Sequence, residues 1–178
     1  MASIQEQRTY KIINVRSDTV LDLSGTDGHS ISGWNDNGGD NQKWTLGRLD
    51  NQWTFRNRGN GRYLGLNSNE LQDGTRLQGV DQEFGWNVFH DERDNSAFRI
   101  FVPGSTLNID LNQGKIDNGT TVHIWSQWET QQQTWRFEEE DEITTHDEEF
   151  DSFRSDTFQI RSRPPLIHKR KLISYGKI

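Results

Sequence analysis

Asp22, Trp34 and Asn41 carry three parts of one recognition chemistry. A carboxylate accepts hydrogen bonds from two adjacent donors, an indole offers a flat apolar face, and a carboxamide both donates and accepts. The same types return as Asp110, Trp125 and Gln132, with Trp128 as a further indole close by. Both sets suit a ligand with one apolar face and a rim of hydroxyls. Bond-making chemistry is poorly provided for. None of the five histidines stands in a His-Glu-x-x-His spacing, and there is no Gly-x-Ser-x-Gly elbow. The chain has no cysteine, which removes thiolate catalysis, disulfide frameworks and Cys-based zinc sites together. The run Asp36 to Asp40 resembles a calcium loop superficially, but it lacks the closing glutamate and the flanking helices. No enzymatic activity, metal site or cofactor is expected.

The elements that must position these residues form a repeat. Its first copy runs through Tyr10-Lys-Ile-Ile-Asn, Val20-Leu-Asp22-Leu23, Trp34 and Asn41-Gln42-Lys43-Trp44. The second has Trp53-Thr-Phe55, Tyr63-Leu-Gly65-Leu66 and Phe84-Gly85-Trp86. The third has Phe98-Arg-Ile-Phe101, Leu107-Asn-Ile-Asp110-Leu111, Trp125 and Gln133-Thr134-Trp135. Positions 22, 65 and 110 correspond, as do the closing tryptophans 44, 86 and 135. Short alternating segments such as Tyr10 to Val15 read as strands with one buried face. Asn60-Gly61, Asp73-Gly74 and Asn118-Gly119 read as turns, because both residue types tolerate positive φ. Only two alanines occur in 178 residues, so a helical bundle is excluded in favour of an all-β chain. A repeat of about 40–50 residues cannot bury its own apolar face, so the three copies must share a core.

All seven tryptophans and fifteen of the sixteen glycines lie at or before Trp135. From Glu138 the chain turns acidic and then basic, ending in a stretch that includes Lys169-Arg170-Lys171. The domain is therefore placed at 1–137, and 138–178 is expected to be a charged, disordered tail. The net charge of -7 argues against a nucleic-acid partner, and no apolar run is long enough to span a membrane. Residues 1–8 are polar, with no secretory h-region; together with the missing cysteines this points to a cytoplasmic protein.

Three repeats that each close on a Gln-x-Trp type element resemble the ricin-B-type β-trefoil lectins over about residues 8–138. The cysteine-free form and the stretch Phe98 to Pro103 are similar to the mushroom members. The resemblance implies twelve strands in a β-trefoil, with sugar held between a hairpin and a loop of each intact repeat. It implies glycans ending in galactose or N-acetylgalactosamine as partners, a homodimer, and a role in fungal defence. The first repeat carries the full pattern. Trp34 is its sugar platform, Asp22 and Asn41 grip the hydroxyl rim, and Asn37 and Gly38 on the polar loop between them add contacts. Asp110, Trp125, Trp128 and Gln132 form a second, weaker candidate site. The second repeat has Gly65 in place of the aspartate and Val80 at the platform place, so no such site is expected there. Gln42, Trp44, Trp86, Gln133 and Trp135 are assigned to structure, pinning hairpin to loop. The competing reading is a β-trefoil protease inhibitor, in which the active groups would lie on exposed loops.

Overall fold

The computed structural model describes residues 3–140. The charged tail expected after the domain lies, from residue 141 onward, outside the described residues. Twelve strands run in three groups of four. The first group is β1 (Thr9–Asn14), β2 (Val20–Leu23), β3 (Ile31–Trp34) and β4 (Lys43–Leu49). The second is β5 (Gln52–Asn57), β6 (Tyr63–Leu66), β7 (Leu77–Val80) and β8 (Asn87–His90). The third is β9 (Phe98–Phe101), β10 (Leu107–Leu111), β11 (Thr120–Ser126) and β12 (Trp135–Glu139).

The outer strands of each group make a six-stranded barrel. Its neighbours are β1–β4, β4–β5, β8–β9, β9–β12 and β12–β1, all antiparallel. The ring is completed by a bridge between Trp53 of β5 and Trp86 at the foot of β8. Closure removes the exposed edges that an open sheet would present. The inner pairs β2–β3, β6–β7 and β10–β11 are hairpins that cap one end. One contact, repeated three times, joins them to one another: Ser30 with Gln78, Arg76 with His123, and Thr121 with Ser32. This is the β-trefoil that the family resemblance implies.

The closing tryptophans explain how a chain with only 30% hydrophobic residues fills its core. Trp44, Trp86 and Trp135 are completely buried. Each indole N–H donates to a backbone carbonyl of its own repeat's hairpin: Leu21 at 3.0 Å, Leu64 at 2.9 Å and Ile109 at 3.1 Å. Each ring removes ~150–250 Å² from water without leaving a donor unpaired. The three thus fasten barrel to cap with the same bond.

Strand β12 continues past the boundary read at residue 137. Glu138 and Glu139 pair with Lys11 and Tyr10 of β1, and the Glu140 N–H donates to the Thr9 carbonyl at 2.8 Å. Charge explains the extension. The Lys11 ammonium meets Glu138 at 3.0 Å and Asp36 at 2.8 Å, and Lys43 meets Glu140 at 3.1 Å. Hydrogen bonds to Asp36 and Glu138 raise the Lys11 pKa well above the usual lysine range. The start of the acidic run therefore belongs to the barrel. Among the described residues no helix is long and apolar enough to cross a membrane.

Candidate binding site

In the first repeat, β2 carries Asp22 opposite Ser32 of β3, and Trp34 lies opposite Val20. A short 3-10 turn, Asp40–Gln42, leads into β4. Because the turn is tight, two consecutive amides reach one carboxylate oxygen. Asn41 Nδ2 and Gln42 Nε2 both donate to Asp22 Oδ2 at 2.9 Å. Asn41 also donates to the Leu23 carbonyl at 3.0 Å. Gln42 donates to the Asn35 carbonyl at 2.9 Å and accepts from the Asn37 N–H at 2.9 Å, tying the loop to the hairpin.

Asp22 Oδ1 accepts no hydrogen bond from the described residues, and Asp22 lines an open cavity of about 690 Å³. Trp34, Asn37 and Asn41 line the same cavity. Trp34 keeps 39% of its surface exposed, which a core indole would not. Burial raises the Asp22 pKa above the ordinary carboxylate value, and the amides of Gln42 and Asn41 pull it partly back. Gly38 is in the left-handed region at φ 72°, has open space around its α-carbon, and does not line the cavity.

The platform is held from another repeat. A Cβ on Gly119 would lie 3.7 Å from the Trp34 ring, and Gly119 itself has φ 87°. Asn118 Oδ1 accepts the Asn35 N–H at 2.7 Å. The turn dipeptide Asn118-Gly119 of the third repeat therefore backs the first repeat's indole. Its counterpart Asp73-Gly74 does the same for the third: Gly74 approaches the Trp125 ring, and Asp73 accepts the Ser126 N–H. These dipeptides are visible in the sequence as turns, but their role as buttresses needs the fold.

The third repeat brings together Asp110, Trp125, Trp128 and Gln132 around a smaller cavity of about 220 Å³. Trp125 and Trp128 meet edge to face with ring centres 6.3 Å apart. Here the carboxylate is engaged differently. His123 Nε2 lies 3.1 Å from Asp110 Oδ1, and Gln132 Nε2 is 3.4 Å from Oδ2. His123 occupies the place that Ser32 holds in the first repeat, opposite the aspartate on the hairpin. Gln133 turns its Nε2 to the Ser126 carbonyl, and its Oε1 accepts the Trp128 N–H at 2.7 Å. In the second repeat Val80 fills the space itself, since a Cβ on Gly65 would lie 2.6 Å from it.

Residues 3–80 match the model for the ricin-type beta-trefoil lectin domain-like family. Among solved structures, the Macrolepiota procera ricin B-like lectin, determined with lactose, is 42% identical. The match covers 77% of this chain and 99% of that one, with a TM-score of 0.75. The Rhizoctonia solani agglutinin is 29% identical, with 79% and 100% of the two chains covered and a TM-score of 0.70. The designed threefold-symmetric protein ThreeFoil, 24% identical over 73% of this chain and 97% of its own at a TM-score of 0.65, shares the fold. No curated protein sequence matches. With a trefoil core and a 42% identical relative covered almost end to end, the chain belongs to the ricin B-like lectins.

Proposed function

We propose that the chain is a non-enzymatic lectin for glycans ending in galactose or N-acetylgalactosamine, bound chiefly by the first repeat. One observation carries this reading: Asp22 presents a free carboxylate oxygen beside the half-exposed face of Trp34, in one cavity with Asn41. Galactose has a broad apolar C–H face and adjacent hydroxyls that match this pair. Hydrogen bonds to a charged acceptor contribute ~1.5–3 kcal/mol each. The lactose complex of the 42% identical relative supports the same sugar class. The third repeat is a weaker site, because His123 already takes the oxygen that a hydroxyl would need. A cytoplasmic setting fits a chain without cysteine. A defence role and a homodimer rest on likeness to mushroom lectins; a dimer would raise avidity by linking weak sites.

A glycan array with the full chain tests the reading. Binding to β-galactosides that disappears in Asp22→Ala and Trp34→Ala is the expected result. Array binding that both variants retain would remove the site assignment. Protease inhibition without any glycan binding would reverse the reading in favour of an inhibitor.

A further inference from the structure

The cavity at Asp22 extends well beyond the platform and its carboxylate. At about 690 Å³ it is some three times the space around Asp110. One wall of it belongs to the second repeat, where Asn67, Arg76 and Gln78 line it. Arg76 stands where Ser30 and Thr121 stand in the other two repeats, at the ring of contacts that joins the three hairpins. That ring thus carries one cation at a position that is otherwise a small hydroxyl residue.

Arg76 is also uncommitted. Ten arginines fall within the described residues. Eight of them hold a side-chain hydrogen bond, an ion pair or both, among them Arg62 with Asp81, Arg99 with Asp91 and Arg136 with Asp18. Arg16 and Arg76 hold none among the described residues, and only Arg76 lines this cavity. Asp22 is the one carboxylate in the cavity lining, and its Oδ2 is already occupied by two amides. The lining thus holds one carboxylate, Asp22 of the first repeat, and one guanidinium, Arg76 of the second, together with amides, hydroxyls and His29, whose ring already meets Asp27 at 3.0 Å.

We propose that this cavity is an extended site for an anionic glycan, in which Asp22 and Trp34 hold a galactose and Arg76 takes a sulfate or carboxylate further along. The proposal rests on the galactoside reading of the first repeat. A guanidinium presents several N–H donors in a planar fork that suits either oxyanion. Exposure of the Arg76 side chain keeps the gain modest and sensitive to salt.

The test measures affinity calorimetrically for lactose, for lactose sulfated on its galactose, and for sialylated lactose, at low and high salt. The readout is the ratio of anionic to neutral affinity within each variant. In the full-length wild-type chain a preference of about five-fold is expected for at least one anionic ligand, shrinking as salt screens the contact. The sulfated and sialylated arms tell which oxyanion is accepted. Arg76→Gln should bring the ratio to one, and Arg76→Lys should retain part of it. A melting curve for each variant confirms that the fold is kept. A wild-type ratio of one or less, or a ratio unchanged in Arg76→Gln, overturns the proposal. So does anionic binding that survives Asp22→Asn, since the anchor would then lie elsewhere. If lactose binds as the galactoside reading requires and the ratio stays at one, this inference alone fails. If none of the three ligands binds, both fail.

Discussion

Asp22 sets the terms of binding, because its two oxygens do different work. Oδ2 is fixed by Asn41 and Gln42, which leaves Oδ1 for a ligand. Only the ionised form is an acceptor on both oxygens. Burial raises the Asp22 pKa, so protonation begins at a higher pH than for an exposed aspartate. Galactoside affinity should therefore fall in mild acid, with its midpoint above the ordinary aspartate value of 3.8. A titration of affinity against pH checks this. The stability consequence has the opposite sign. A carboxyl whose folded pKa lies above its unfolded value favours folding at low pH and loses that contribution as pH rises through the folded pKa. Asp22→Asn should thus weaken binding about 10–100-fold, the loss of one charged hydrogen bond or more, with a Tm at neutral pH no lower than the wild type. His123 makes the reciprocal case. Replacing it with serine, the residue opposite Asp22, should free Asp110 Oδ1 and strengthen the third-repeat site about ten-fold. Calorimetric stoichiometry would then rise from one galactoside per chain toward two; a stoichiometry that stays at one would show that His123 is not what limits the site.

At the scale of elements, each platform indole depends on a turn in a different repeat. Gly119 has φ 87° and sits against Trp34, so Gly119→Ala forces a side chain into the left-handed region. The cost is ~1–2 kcal/mol of stability. Because the new methyl would meet the Trp34 ring at an ordinary 3.7 Å contact, the first repeat's platform should move only as far as the strained backbone at residue 119 shifts, although that residue belongs to the third repeat. Gly74→Ala should disturb the third repeat's indole and spare the first. Affinities of both variants for lactose, with thermal melts, separate the two effects. This crossing of repeats marks how far the sequence alone could be read. The strands, the hairpin turns and the correspondence of Asp22, Gly65 and Asp110 are local in sequence, so spacing and residue type exposed them. Asn118 under Asn35, or Arg76 across the cavity from Asp22, are contacts between distant segments that only the closed ring of hairpins creates. That His123 covers Asp110 follows only from the β10–β11 register. The end of the barrel is illegible for a related reason: Glu138 to Glu140 read as the opening of a charged tail, yet β12 runs to Glu139 and the partners of the three carboxylates, Arg8, Lys11 and Lys43, lie over ninety residues earlier.

For the whole molecule, the three repeats are alike in their structural anchors and unlike in function. Trp44, Trp86 and Trp135 have the same burial and the same indole-to-carbonyl bond. Yet the Trp44 repeat has the open carboxylate, the Trp135 repeat a covered one, and the Trp86 repeat only Val80 where a platform would stand. The second repeat keeps the fold without an aspartate, because Gly65 and Val80 pack against each other while Phe84 lies 4.8 Å from the Trp86 ring, at the position that Gln42 and Gln133 hold elsewhere. Structural and binding roles can therefore be separated by mutation. Trp86→Phe keeps most of the ring but leaves the buried Leu64 carbonyl without its donor, at a cost of ~1–3 kcal/mol. Trp44→Phe strands the Leu21 carbonyl in the same way and should cost about the same. If the trefoil behaves as one cooperative core, both variants should shift the same single unfolding transition seen by tryptophan fluorescence and by far-UV circular dichroism. Trp86→Phe should leave lactose affinity within about two-fold of wild type, since that indole bonds to the Leu64 carbonyl of its own repeat's hairpin and not to the hairpin that carries Asp22. Trp44→Phe should loosen the hairpin that carries Asp22, through the Leu21 carbonyl next to it, and lower affinity as well as Tm. Two separate unfolding transitions would show that the repeats do not form one cooperative core, and equal losses of lactose affinity in the two variants would show that structural and binding roles are not divided between the repeats in this way.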